Sequence, residues 1–227
     1  MISEKHGFIF LHVPKTGGNA IQSLLLPFSD DAMITNDRQD RVERFGVKGP
    51  VTPHKHASLQ AYSDRLGPRL SAFKVILTLR PPFERMVSLY FSPHRWDARE
   101  PIWSEEDFCE LARKTPSSAS FLSVAGRQHR PDFILRFAHL AEDFRHLVAY
   151  LGLPLTDAGL PRRNVGMVKA AGVARILADR KLRSVIEAMF PDDMILLQTS
   201  GLAGPGPCDR HRAAAELRET PITKRSE

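Results

Sequence analysis

Cysteine is nearly absent from this chain: only Cys109 and Cys208 occur, far apart in the sequence. Two thiols exclude a disulfide framework and are too few for a cysteine-rich zinc site, so a reducing cytoplasm is the default expectation. Long apolar runs are missing as well, none approaching the roughly 20 residues that a spanning helix requires. The opening residues Met1-Ile2-Ser3-Glu4-Lys5-His6 have neither the basic region nor the apolar core of a secretory leader. A soluble, unanchored, cytoplasmic protein is therefore expected. There is no arginine-rich run, no zinc-finger spacing and no ribonucleoprotein-type aromatic pattern, which argues against nucleic acid as the partner. Internal repeats and heptads are lacking too.

What remains is an ordinary globular composition with a basic excess. The 227 residues are 42% hydrophobic, enough for one compact core, and 32 Lys and Arg against 26 Asp and Glu leave a net charge of +6. A basic cleft concentrates anions, so an anionic ligand, cofactor or polymer suits the chain. Residues 1–203 read as one domain. From Gly204 onward glycine, proline and charge replace the apolar pattern, so residues 204–227 read as a flexible C-terminal tail.

The segment from Gly7 to Val13 is a short apolar run that reads as a buried strand, followed by a Pro-Lys-Thr-Gly-Gly turn and a helix ending near Pro27. Residues 29–50 mix charges of both signs and read as an exposed, irregular flap. A helix over 58–66, a second buried strand over 74–79 and a proline-led helix follow. In that helix Phe83, Met86, Val87 and Tyr90 share one apolar face, with Glu84, Arg85 and Ser88 opposite. Ser104 opens a further helix, residues 132–137 form a third strand, and helices cover Leu140–Leu151 and 182–190. This order predicts a single α/β domain: a central parallel β-sheet flanked by helices, with a P-loop-like phosphate-binding turn.

The turn is the most informative stretch. In Pro14-Lys15-Thr16-Gly17-Gly18-Asn19-Ala20 a glycine pair lies between strand and helix, where backbone N–H groups can approach an anion and the helix start adds partial positive charge. Lys15 adds a full charge, and Thr16 and Asn19 add side-chain donors. The lysine precedes the glycines, so this is not a Walker A loop. A lysine at a strand exit can sit beside the oxygen that bridges a 5′-phosphate to its transferable group. It then stabilises that oxygen as the bond breaks. Arg80 stands where the second strand ends, the ligand edge of a parallel sheet, and its planar fork can hold a phosphate. Ser88 on the following helix can donate to the same anion.

The Pro14-to-Gly18 turn after an apolar strand resembles the 5′-phosphosulfate loop of the sulfotransferase superfamily, in the branch with the heparan and chondroitin enzymes and their bacterial relatives. The stretch from Val75 to Tyr90 resembles that family's 3′-phosphate segment: strand, arginine, then a proline-led helix carrying Arg, Ser and Tyr. One departure is Pro81, where the family has Asp or Asn directly after the arginine. The resemblance implies transfer of a sulfuryl group from 3′-phosphoadenosine 5′-phosphosulfate to a hydroxyl-bearing acceptor, a glycan in this branch. It makes Arg80 and Ser88 the grip on the 3′-phosphate.

An attacking hydroxyl must lose its proton, which histidine can accept near neutrality. Lys55-His56-Ala57-Ser58 resembles the histidine-bearing segment that the branch carries before the 3′-phosphate strand, so His56 is the expected base and His54 the second candidate. No carboxylate or thiol partner accompanies the two histidines, and no metal is expected. Two rivals make distinct demands. A kinase-like phosphoryl transferase would need magnesium and ATP, and a non-catalytic nucleotide- or polyanion-binding module would show no turnover. Trp96 and Trp103 could stack on sugar rings or anchor their loop, and Arg162-Arg163-Asn164 could touch an anion or face solvent. Arg175, Arg180, Lys181 and Arg183 read as a charged helix face. The segment 136–154 resembles the family's stretch after the third strand, and its physics is core packing by Phe144, Leu147, Val148 and Leu151.

Overall fold

The computed structural model describes residues 1–39, 42–92, 102–155, 159–160 and 170–200. Its centre is a four-stranded sheet in the order β1 (Ile2–Ser3), β2 (Phe8–Leu11), β5 (Lys74–Leu79), β8 (Phe133–Arg136). The pairs β2–β5 and β5–β8 are parallel, as expected, but β1 runs antiparallel to β2 with Ile2 opposite Ile9. The sheet is therefore mixed rather than wholly parallel. A two-residue strand folded back through the turn at Gly7 is too short to leave a period in the sequence.

Alternation along the strands divides the core. Phe8, Phe10, Ile76 and Leu135 face one side, where α1 (Gly18–Leu25) supplies Ile21 and Leu25, and α5 (Leu140–Leu151) supplies Phe144, Leu147 and Leu151. Ile9, Leu11, Val75, Leu77 and Leu79 face the other, covered by Leu59, Tyr62 and Leu66 of α2 (Leu59–Leu66). Because both faces are covered, the strands read as continuous apolar runs. A third cluster joins α3 (Pro82–Tyr90), α4 (Glu105–Lys114) and α7 (Arg180–Ala188) through Phe83, Met86, Phe108, Leu182 and Ile186. The remaining helices are α6 (Ala170–Leu177) and α8 (Pro191–Ser200). Among the described residues no helix is long and apolar enough to cross a membrane.

Residues 29–50 are not irregular. β3 (Ala32–Gln39) and β4 (Val42–Lys48) form an antiparallel hairpin, with Ala32 opposite Lys48 and Ile34 opposite Gly46. Charged residues along both strands hide the two-residue period. The base of the hairpin is tied down by Asp31, which accepts from the Ile2 N–H at 3.0 Å and the Thr52 hydroxyl at 2.8 Å. A second short hairpin pairs β6 (Ser123–Val124) with β7 (Arg127–Gln128). The expected tail and the Arg162-Arg163-Asn164 loop lie outside the described residues.

Candidate functional site

Three parallel strands end on one edge of the sheet. β2 runs out into His12, β5 into Arg80 and β8 into Phe137, and this is the edge at which open α/β sheets present their ligands. The glycine turn leaves β2 here. Its backbone is unusual: Lys15 has a φ of 69° and Gly17 one of 85°, both left-handed. Glycine adopts that conformation freely, but at a lysine it costs roughly 1 kcal/mol and needs outside support.

The support comes from four carbonyl oxygens in succession, each engaged by a side chain. The His12 carbonyl accepts from His56 Nδ1 at 2.8 Å, Val13 from the Thr16 hydroxyl at 2.7 Å, Pro14 from Arg85 Nε at 3.2 Å and Lys15 from Arg80 Nη1 at 3.4 Å. A trans peptide unit points its N–H opposite to its C=O. With these carbonyls drawn into the protein, the N–H groups of Lys15 and Thr16 are turned the other way. At the start of α1 the Ala20 N–H is taken by the Gly17 carbonyl at 3.2 Å, while those of Gly18 and Asn19 come before the first intrahelical acceptor. The turn thus gathers backbone donors at the helix start.

Thr16 does not offer its side chain as a further donor. Its hydroxyl is fully buried, donates to Val13 and accepts from Thr78 of β5 at 2.6 Å, which leaves the backbone N–H as its available donor. Gly18 is required by close contact, since a Cβ there would lie 2.3 Å from His12 Cδ2. The buried His12 ring is itself held by Gln22 Oε1 at 3.0 Å from Nδ1. Asn19 has a buried side-chain oxygen without a partner. Lys15 Nζ donates to Ser92 Oγ at 3.1 Å, just past the end of α3.

His56 packs its ring on His12, with centroids 4.6 Å apart. A carbonyl can only accept, so Nδ1 carries the hydrogen in its bond to His12 and Nε2 keeps its lone pair. Burial lowers the His56 pKa to about 4, opposed by that hydrogen bond and reinforced by Lys55 and His54. The ring is therefore neutral at physiological pH. His12 is held well below the ordinary histidine range, first by burial and then by neighbouring His56. His54 is exposed to solvent.

Arg80 lies against the turn. Its guanidinium carbon is 4.0 Å from the centroid of the Phe137 ring, and its buried Nε has no hydrogen-bond partner. Burial lowers its pKa to about 10 against the pull of Glu84, so it stays charged at neutrality. Ser88 is half-buried on α3. Arg85 departs from expectation: it is not on an exposed face with Ser88 but is 2% exposed, the largest fully buried side chain. It binds the carbonyls of Pro14 and Pro116 and lies 3.8 Å from Asp193, which is completely buried. Asp193 in turn accepts from the N–H groups of Ser118 and Ala119. Arg85 is therefore a strut from α3 to the turn.

Among the candidates of lesser weight, Trp103 packs into an aromatic group with Tyr90, Phe91 and Phe108, and Trp96 lies outside the described residues. Arg183 pairs with Glu84 at 2.6 Å and with Glu187 at 3.4 Å, while Arg175, Arg180 and Lys181 are exposed. Among the described residues no group of three or more His, Cys, Asp or Glu is placed to hold a metal. His12, Gln22, Ser92 and Phe137 escaped sequence reasoning. The one signal was His12 itself, a polar residue continuing an apolar strand.

No curated protein and no solved structure matches the chain. The profile of the sulfotransferase family matches residues 1–123, a stretch that contains the glycine turn, His56, Arg80 and all of α3. That match covers more than half of the sequence, and the chain belongs to the sulfotransferase family.

Proposed function

We propose that this protein transfers a sulfuryl group from 3′-phosphoadenosine 5′-phosphosulfate to a hydroxyl of a glycan. The observation that carries the reading is the approach of the Arg80 guanidinium to within 3.4 Å of the Lys15 carbonyl, which supports one nucleotide spanning the two basic elements. The orphaned Arg80 Nε supports a ligand rich in anionic oxygen. The basic balance of the chain and its resemblance to the glycan-modifying branch support the acceptor class.

The donor supplies the sulfuryl group on its 5′-phosphate oxygen, and the residues of the chain supply the rest. Pro14 shapes the entry to the turn, and the backbone N–H groups of Lys15, Thr16, Gly17, Gly18 and Asn19 hold the 5′ end, with Ala20 closing the turn through its bond to the Gly17 carbonyl. Arg80 and Ser88 hold the 3′-phosphate. His56 Nε2 takes the acceptor proton as the new O–S bond forms and the old S–O bond breaks, with His54 as the alternative base. Lys15 exchanges Ser92 for the leaving phosphate oxygen and stabilises the charge that develops there. Anionic charge beside His56 raises its proton affinity from the low value of the free protein, so the ring becomes a stronger base once the site is filled. Charge neutralisation by lysine, arginine and backbone dipoles removes the need for a metal.

Radiolabelled donor incubated with a panel of sulfatable glycans, small alcohols and tyrosyl peptides tests this. Label is expected in a glycan without magnesium, with a loss of at least about a hundredfold in His56→Ala. Label entering only small alcohols or peptides contradicts the acceptor class. Magnesium-dependent phosphate transfer from ATP contradicts the donor.

A further inference from the structure

We propose that Phe137 is a positioning residue that sets Arg80 against the glycine turn, and with it the preference of the site for a nucleotide carrying a 3′-phosphate. This rests on the donor reading above and extends it to a residue beyond the family match.

Phe137 is the first residue after β8 and is 38% exposed, unusual for a phenylalanine at the edge of a packed sheet. The exposure is accounted for by what the ring touches. Its face lies under the Arg80 guanidinium at 4.0 Å. Its edge lies against the turn: a Cβ on Gly17 would come within 3.1 Å of Phe137 Cδ2 and 3.3 Å of Cε2. One ring thus lies beside both Arg80 and the glycine turn. The backbone that carries it is fixed, because Asp143 accepts from the Arg136 N–H at 2.7 Å and from its guanidinium at 2.6 and 3.0 Å.

The remaining holds on Arg80 are weak. Its hydrogen bond to Lys15 is long, at 3.4 Å, and Nε has no acceptor. A carboxylate in place of the ring would fix the guanidinium more firmly, but it would neutralise the charge and occupy the N–H groups that a phosphate needs. An aromatic face holds the guanidinium plane while its in-plane N–H edges stay open. The ring therefore orients the arginine without competing for the ligand.

The test compares calorimetric binding of adenosine 3′,5′-bisphosphate and adenosine 5′-monophosphate in wild type, Phe137→Ala, Phe137→Leu and Phe137→Tyr. The ratio of the two affinities is the readout, since general loosening of the fold weakens both ligands alike. The wild type is expected to prefer the bisphosphate. Removing the ring, to Ala or to Leu, is expected to reduce that preference about fivefold, with monophosphate binding changed less than about twofold. Tyr, which keeps the ring, restores the preference. Leu preserves apolar bulk and decides the matter if Ala fails to fold. A wild type without preference sinks the donor reading and this inference together. A preference unchanged in both Ala and Leu, or equal loss for both ligands, overturns the role of Phe137 alone.

Discussion

The glycine turn and Arg80 occupy neighbouring strand exits, yet they are secured by different means. The turn is fixed through its backbone: its carbonyls are engaged by His56, Thr16, Arg85 and Arg80, and His12 fills the space a side chain at Gly18 would need. Arg80 is fixed through a side chain, resting on an aromatic face with one long hydrogen bond and one buried donor unmet. The first is rigid before any ligand arrives. The second keeps unspent hydrogen-bonding capacity. A site built this way can hold the reacting end of a ligand in fixed geometry and read the far end by charge, and substitutions in the two regions should fail differently.

The contrast is broken most severely at Gly18. In Gly18→Ala the new Cβ must displace the His12 ring from Gln22 and His56, and overpacking at a buried site costs about 3 kcal/mol. Denaturant unfolding should show that loss, together with loss of activity. A variant as stable as wild type would mean that the turn is not pinned. Lys15→Ala comes next. It is expected to lower kcat by about a thousandfold while the bisphosphate Kd changes less than about tenfold, because the lysine acts on charge that develops during the reaction. Arg80→Ala should show the reverse, raising donor KM by about thirtyfold with kcat changed only a few-fold. If both variants shift both constants equally, the two regions do not divide the work.

A last effect is in pH. The folded His56 pKa of about 4 lies below the ordinary histidine value of 6.5, so between these limits the unfolded chain binds the proton and the native one does not. Stability is full above the unfolded pKa and falls as pH drops towards 4, by about 3 kcal/mol at most from this group. His56→Gln should flatten that part of the acid profile in chemical denaturation. The acid limb of kcat/KM, which reports the free enzyme, should likewise lie well below the ordinary histidine range.

Sequence reasoning located the elements that carry the candidate site better than the contacts that support them. The strands at Phe8 and Lys74, the helix at Leu140 and the turn between them follow from apolar runs, prolines and glycines, which act locally. Lys15, Arg80 and His56 could be named because each follows or precedes such an element. Phe137, by contrast, reads only as the end of a strand until β8 is placed beside β5. Arg85 reads as a surface charge until Asp193, far along the chain, closes on it. The hairpin at 32–48 was hidden because its pairing, not its composition, makes it a structure. Contacts between distant segments leave no local period, and those contacts are what hold the turn.

The central claim, that one nucleotide is held at its 5′ end by the glycine turn and at its 3′-phosphate by Arg80, is tested most directly by titrating adenosine 3′,5′-bisphosphate and ATP into the metal-free protein in a calorimeter. The account predicts saturable one-site binding of the bisphosphate and an affinity for ATP at least about a hundredfold weaker. Equal binding of the two, or tight binding of ATP alone, would contradict it.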